Sequence, residues 1–162
     1  MSHISLEFYP PKTDEQRAQL DKTVTRLKPL QPEYVSVTFG AGGSTLNYTP
    51  ETVAGLRDRH GLDAAPHVSC VGGTRQELAA LIGRYREMGC RRIVALRGDL
   101  PSGMGHRGDF RYASDLVDFI RGEHDGYFHI EVGCYPEVHP QAQDAHADLR
   151  AHNAGAAIAR LQ

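Results

Sequence analysis

Glu7 lies in the strand-like run Ile4–Tyr9 (ISLEFY), flanked by Leu6 and Phe8. A strand sends neighbours to opposite faces, so Glu7 shares a face with Ser5 and Tyr9. In a closed interior a carboxyl group is costly to ionise. Its pKa is then expected to rise, which makes Glu7 a candidate general acid near neutral pH. The plainer reading is a carboxylate paired with an arginine, since an unpaired buried Glu is rare. Arg97-Gly98-Asp99 offers a cationic donor, a close backbone approach and a carboxylate. For three residues alone, an ordinary turn with an ion pair is the favoured reading. Gly40-Ala41-Gly42-Gly43-Ser44-Thr45 resembles a phosphate loop, but it misses the last glycine of G-x-G-x-x-G and the Gly-Lys of a P-loop. A flexible turn is expected there. His67, by type, is more often a hydrogen-bonded core histidine than a ligand. His139 and His146 fit no metal spacing, and no HExxH occurs, so no metal is expected. There is no Gly-x-Ser-x-Gly elbow, and the cysteines lack a nucleophile context.

These residues gather at strand ends. Thr38 ends a second run, Tyr34–Phe39 (YVSVTF), and His67 lies in a third, Ala65–Val71 (APHVSCV). Arg97-Gly98-Asp99 follows Arg92–Leu96 (RIVAL), and Tyr135-Pro136-Glu137-Val138-His139 follows Phe128–Cys134 (FHIEVGC). In α/β folds the C-terminal rim of the strands is where ligands bind. Helical patterns separate the strands. Thr13-Asp14-Glu15-Gln16 has the form of a capping box, followed by Leu20, Val24 and Leu27 on one face. Thr49-Pro50 puts a capping hydroxyl before a proline at a first helical position. Thr74-Arg75-Gln76-Glu77 is a second capping box; Leu78, Leu81, Ile82, Tyr85 and Met88 form a stripe, and Gly89 stops the helix. Tyr112–Arg121 and Pro140–Arg150 read as two further helices.

The order is βαβαβαβαβα, with units of about 30 residues and crossovers that must be right-handed. A doubly wound five-stranded sheet and part of a (β/α)₈ barrel both fit. Periodicity does not choose between them. Gly98–Phe110 (GDLPSGMGHRGDF) is the longest irregular stretch and suits a loop over a site.

The 162 residues suit one domain, with 18 basic and 20 acidic side chains and a net charge of −2. Nothing in that balance points to nucleic acid or a membrane surface. Cys70, Cys90 and Cys134 are odd in number and far apart, which argues for reduced thiols and a cytoplasmic protein. No signal peptide is evident, and no apolar stretch approaches the roughly 18 residues of a membrane span.

Several stretches taken together are more specific than any one. SLEFYPPK (Ser5–Lys12), YVSVTFGAGGST (Tyr34–Thr45), AAPHVSC (Ala64–Cys70), RRIVALRGDLP (Arg91–Pro101), YASDLV (Tyr112–Val117) and CYPEVHP (Cys134–Pro140) resemble the methylenetetrahydrofolate reductases, in that family's order and spacing. The resemblance spans roughly residues 4–150. It implies a (β/α)₈ barrel that holds FAD at the C-terminal strand ends, and so favours five strands in order 1-2-3-4-5 over a flavodoxin-like 2-1-3-4-5. It implies that NADH or NADPH reduces FAD, which then reduces 5,10-methylenetetrahydrofolate to 5-methyltetrahydrofolate, a step of one-carbon metabolism and methionine biosynthesis. By position in the motifs, Glu7 matches the general acid that opens the folate's five-membered ring. Asp99 matches an aspartate near the flavin that faces the developing cation. Thr38, Phe39, Ala41, His67, Arg97, Gly98, Ala113, Tyr135, His139, Ala142 and Asp148 match FAD contacts.

The resemblance also implies an incomplete barrel. Past Asp148 the sequence is shorter than the family pattern, a lysine expected at the cofactor has no counterpart, and strands six to eight are expected to be absent. The 162 residues then form a single incomplete (β/α) barrel domain with open edges. Its inner face is expected to carry Val35, Val37, Val94, Leu96 or their neighbours. Three possibilities follow: a truncated reductase, a homo-oligomer in which two copies finish a barrel, or a noncatalytic interaction module that keeps at most flavin nucleotide binding.

Overall fold

The structure, a computed structural model, describes residues 4–39, 48–98 and 108–133. The chain divides into two units at Glu131/Val132, and the described residues belong to the first apart from Val132 and Gly133. The described elements alternate: β1 (Ser5–Phe8), α1 (Asp14–Leu27), a 3₁₀ turn (Lys28–Leu30), β2 (Tyr34–Val37), α2 (Tyr48–His60), β3 (Ala64–Ser69), α3 (Arg75–Glu87), β4 (Arg92–Leu96), α4 (Ala113–His124) and β5 (His129–Val132). They form one five-stranded sheet in the order β1-β2-β3-β4-β5, with parallel registers from β1 through β4. β2 pairs with both β1 and β3, so the flavodoxin-like order is excluded. The order is that of consecutive (β/α) barrel units.

Register sorts the side chains into two faces. Glu7 pairs with Ser36, Ser36 with Ala65, His67 with Val94 and Ser69 with Leu96. Partners and alternate residues share a face, so these side chains form one face and Val35, Val37, Val68, Ile93 and Ala95 form the other. All five of the latter are fully buried. Sequential right-handed crossovers put the helices on one side of a sheet, and this is the side they cover. α2 packs on β2 and β3, and α4 packs on β4. Val24, Leu56, Ile82, Leu116 and Ile120 supply the helix half of this layer. Each such aliphatic side chain contributes roughly 1.5–3 kcal/mol on burial. The expectation that Val35 and Val37 face inward is therefore corrected: they belong to the helix layer, and Ser36 takes the inner position. Val94 and Leu96 do lie on the inner face and are only half-buried.

Local signals explain the helix starts. Thr74 forms the full capping box: its hydroxyl accepts from Glu77 N–H at 3.2 Å, and Glu77 Oε2 accepts from Thr74 N–H at 2.8 Å. Thr13 makes half of one. Its hydroxyl accepts from Gln16 N–H at 3.3 Å, while the Gln16 amide oxygen takes Lys12 N–H at 2.7 Å. Thr49 does not cap α2, which is already helical at Tyr48. Its buried hydroxyl donates to Thr38 O at 3.1 Å and ties the helix start to the end of β2. α4 begins one residue after Tyr112, where Asp115 Oδ2 accepts from both Arg111 and Tyr112 N–H. The expected helix Pro140–Arg150 lies outside the described residues.

Candidate functional site

β1 ends at Phe8, and Phe8 O accepts Thr38 N–H at 3.0 Å, which sets the tops of β1 and β2 side by side. On the inner face, Glu7 reaches across β2 to β3. Two strand spacings span roughly 9–10 Å, and the two long side chains close that gap until Glu7 Oε2 lies 3.4 Å from His67 Nε2. The expected closed interior is not what surrounds Glu7: its side chain is 54% exposed, and its partner is a histidine and not an arginine. His67 is the buried member, 7% exposed. Burial pushes its imidazole pKa down, and the nearby Glu7 charge only partly opposes this. The ring therefore favours its neutral form near pH 7, and the contact joins the Glu7 carboxyl group to a polar imidazole edge and is not an ion pair.

Thr38 continues the same edge. Its Oγ1 is buried and has no hydrogen-bond partner among the described residues. A buried hydroxyl without a partner costs free energy, so Thr38 is suited to a polar group brought from outside. The other such atom is Tyr85 Oη, which sits inside α3's buried face. Burial raises that phenol's pKa and keeps it protonated.

At the top of β4, Arg97 stays bonded to the end of β3, with Val71 N–H donating to Arg97 O at 3.0 Å, and the chain turns at Gly98. Gly98 has φ +79°, a conformation that L side chains rarely adopt. A Cβ placed there would collide with Ser69 Oγ. The close backbone approach expected of this glycine is thus real, and Ser69 is what it approaches. Arg97 is half-buried, and its Nε–H donates to Gly98 O at 3.2 Å. Further along the chain, Asp109 is tied to the β3–α3 corner. Its N–H donates to Gly73 O at 3.2 Å, and its Oδ2 accepts Arg75 N–H at 2.7 Å. Arg75 also stacks over Phe119 and Phe110, 4.8 and 5.1 Å from their ring centroids.

Glu7, Thr38, Phe39, His67, Arg97 and Gly98 thus lie on β1–β4 or directly beyond them, and Ala113 opens α4. Ala41, Asp99, Tyr135, His139, Ala142 and Asp148 lie outside the described residues, so the expected proximity of Glu7 and Asp99 does too. Sequence reading passed over Ser36 and Ser69, both buried polar residues on the inner face. Stepping by two from His67 would have found Ser69. Among the described residues no group of three acidic, histidine or cysteine side chains could hold a metal ion. No helix there is long and apolar enough to cross a membrane.

Known proteins share this arrangement of sequence. A family model described as methylenetetrahydrofolate reductase matches residues 1–157. The 5,10-methylenetetrahydrofolate reductases of Escherichia coli K12 and Salmonella typhimurium are 46% and 45% identical over 147 residues, covering 91% of this chain and 48% of each relative. The Arabidopsis thaliana protein methylenetetrahydrofolate reductase (NADH) 1 is 34% identical over 146 residues, covering 88% of this chain and 25% of that protein. The chain spans about half the length of the bacterial relatives it matches. A family match over nearly every residue, on a sheet with the strand order that the family motifs imply, leaves one conclusion: the chain belongs to the methylenetetrahydrofolate reductase family.

Proposed function

We propose that this chain supplies the flavin-side half of a site that reduces 5,10-methylenetetrahydrofolate to 5-methyltetrahydrofolate, with FAD as the resident cofactor and NADH or NADPH as hydride donor. The observation that carries the reading is the Glu7–His67 pair on the polar inner face, at 3.4 Å, in a chain of this family. Glu7 is open enough for a substrate to reach it, and in its protonated form it delivers the proton that opens the folate's ring. His67, buried and neutral, borders that carboxyl group without adding a charge beside it.

The described edge fits a flavin nucleotide. Thr38 brings a buried hydroxyl in need of a partner, and Gly98 lets backbone come close where a side chain could not. Arg97 offers a planar fork of donors suited to a pyrophosphate. Phe39, His67 and Ala113 are proposed as further FAD contacts on the described side, and Ala41, Tyr135, His139, Ala142 and Asp148 are proposed as FAD contacts from their places in the family motifs alone. FAD, when bound, would take a hydride from NADH or NADPH and pass it to the folate methylene carbon. From its place in the Arg97-Gly98-Asp99 motif, Asp99 is proposed to supply the anionic charge that favours the cation developing on the folate.

The test starts with FAD titrated into the purified protein. Uptake that gives a yellow protein is the expected result, and anaerobic bleaching by NADH or NADPH followed by recolouring with methylenetetrahydrofolate carries the test on to the two half-reactions. Comparing the two nucleotides identifies the donor. Protein that takes up no FAD overturns the reading, and FAD that binds but is never reduced leaves only a noncatalytic binding module.

A further inference from the structure

We infer that Ser69 is a positioning residue for the cofactor edge: its hydroxyl and the bare α-carbon of Gly98 interlock and fix the Arg97–Gly98 turn that leads into Asp99. What the turn serves rests on the function proposed above; the interlock itself does not.

Ser69 closes β3 on the same face as His67, opposite Leu96. It is 7% exposed. Its Oγ–H donates to Arg97 O at 3.2 Å, and its Oγ also accepts Val71 N–H at 3.4 Å. Arg97 O receives two further donors, Val71 N–H at 3.0 Å and the Cys70 thiol at 3.3 Å. Val71 N–H is shared between Arg97 O and Ser69 Oγ, and with the Ser69 hydroxyl and the Cys70 thiol also directed at Arg97 O, this peptide unit is held against β3 from three atoms. The next residue has φ +79° and lies so close to Ser69 that a Cβ would meet the hydroxyl and stand 3.4 Å from Val71 Cβ. Serine at 69 and glycine at 98 are therefore a matched pair. The hydroxyl anchors the turn, and the missing side chain makes room for the hydroxyl.

A double-mutant cycle over Ser69→Ala and Gly98→Ala, with Ser69→Thr as the conservative control, tests this. Three readouts are taken on the whole chain: the thermal midpoint, tryptic cleavage at the Arg97–Gly98 bond followed by mass spectrometry, and FAD affinity by flavin fluorescence. S69A should raise cleavage at Arg97 while leaving the helix sites Arg57 and Arg84 protected, and should weaken FAD about ten-fold, the worth of one hydrogen bond. S69T should restore both. G98A should lower the midpoint more in the wild-type background than in S69A, because removing Oγ relieves the collision. Additive midpoints together with unchanged Arg97 cleavage in S69A would overturn the interlock. Wild-type protein without FAD affinity would overturn the proposed function, while cleavage and the midpoint cycle still decide the interlock. FAD affinity unchanged in S69A alongside a loosened turn would remove Ser69 from cofactor positioning.

Discussion

Arg92 offers a sharp test of how the lower end of the sheet is held. It opens β4 on the inner face, and its side chain is 15% exposed. Its guanidinium donates to Glu131 at 2.8 Å, to Glu33 at 3.4 Å and to Asp63 at 3.5 Å, and lies 4.4 Å from the centroid of the Tyr34 ring. Glu33 and Asp63 directly precede β2 and β3, and Glu131 lies within β5, so one side chain at the start of β4 bridges four strands. Arg92→Met keeps much of the volume and removes the charge. The short bond to Glu131 is charge-assisted, worth about 1.5–3 kcal/mol. The two longer contacts contribute about 0.2–1 kcal/mol each. The three carboxylates are 34–47% exposed, so water recovers part of the loss. The expected net destabilisation is about 2–3 kcal/mol, and near 2–4 °C per kcal/mol for a chain this size the midpoint should fall by roughly 5–10 °C. Arg92→Lys, which has no fork, should fall between wild type and R92M. In 1 M salt the gap should narrow, because screening acts within about 3 Å. Chemical and thermal melts at low and high salt check this. A loss under about 0.5 kcal/mol, the range of an ordinary surface change, would show that the cluster is a solvated ion-pair patch and not a staple.

Other outcomes follow from the same geometry. Replacing Glu7 with Gln should abolish folate-dependent reoxidation of the flavin while sparing its reduction by the nicotinamide, read by anaerobic stopped flow; equal loss of both steps would make Glu7 structural. Burial pushes the Cys70 thiol up to about 11, so at pH 8 about one molecule in a thousand carries the thiolate; it should resist alkylation in the native state and react only on unfolding, as mass spectrometry of trapped thiols would show. His67 is held below its unfolded pKa by burial. The unfolded chain therefore binds the proton more tightly, and stability present above about pH 6.5 should be lost as pH falls through the lower folded value. A His67→Gln variant should flatten that part of the stability–pH curve, and an unchanged slope would place its origin elsewhere.

The sequence made the elements legible and left their partners open. Strand runs and βα spacing come from local alternation and capping, so β1 to β5 fall within a few residues of the expected bounds. Strand order depends on which distant edges pair, and spacing alone allowed two answers; only the family motifs chose. Alternation in YVSVTF likewise gives two faces without saying which one the helices cover. Choosing the larger aliphatics as inward-facing put Val35 and Val37 on the wrong side. The register with Glu7 carries the missing information, since Ser36 must stand beside it. The exposure of Glu7 was not legible for the same reason: how far an inner face is covered depends on strands several units away. Arg92 was passed over because its three carboxylates are scattered from residue 33 to residue 131.

The inner face is not uniform along its strands, and that gradient bears on which end a polar ligand would gain most from meeting. At the N-terminal end Arg92 meets three carboxylates and an aromatic ring, and its charge is balanced within the protein. Toward the C-terminal end polar capacity goes partly unused: Thr38 Oγ1 has no partner among the described residues, and Glu7 is more than half exposed, with a neutral ring as its neighbour. Folding alone would favour pairing or removing those groups, because a buried hydroxyl without a partner costs about 1–3 kcal/mol. A polar ligand bound at that end recovers this cost, whereas at the Arg92 end it would have to break contacts already made. The same physics that makes the lower end a source of stability therefore makes the upper end the place where binding has most to gain.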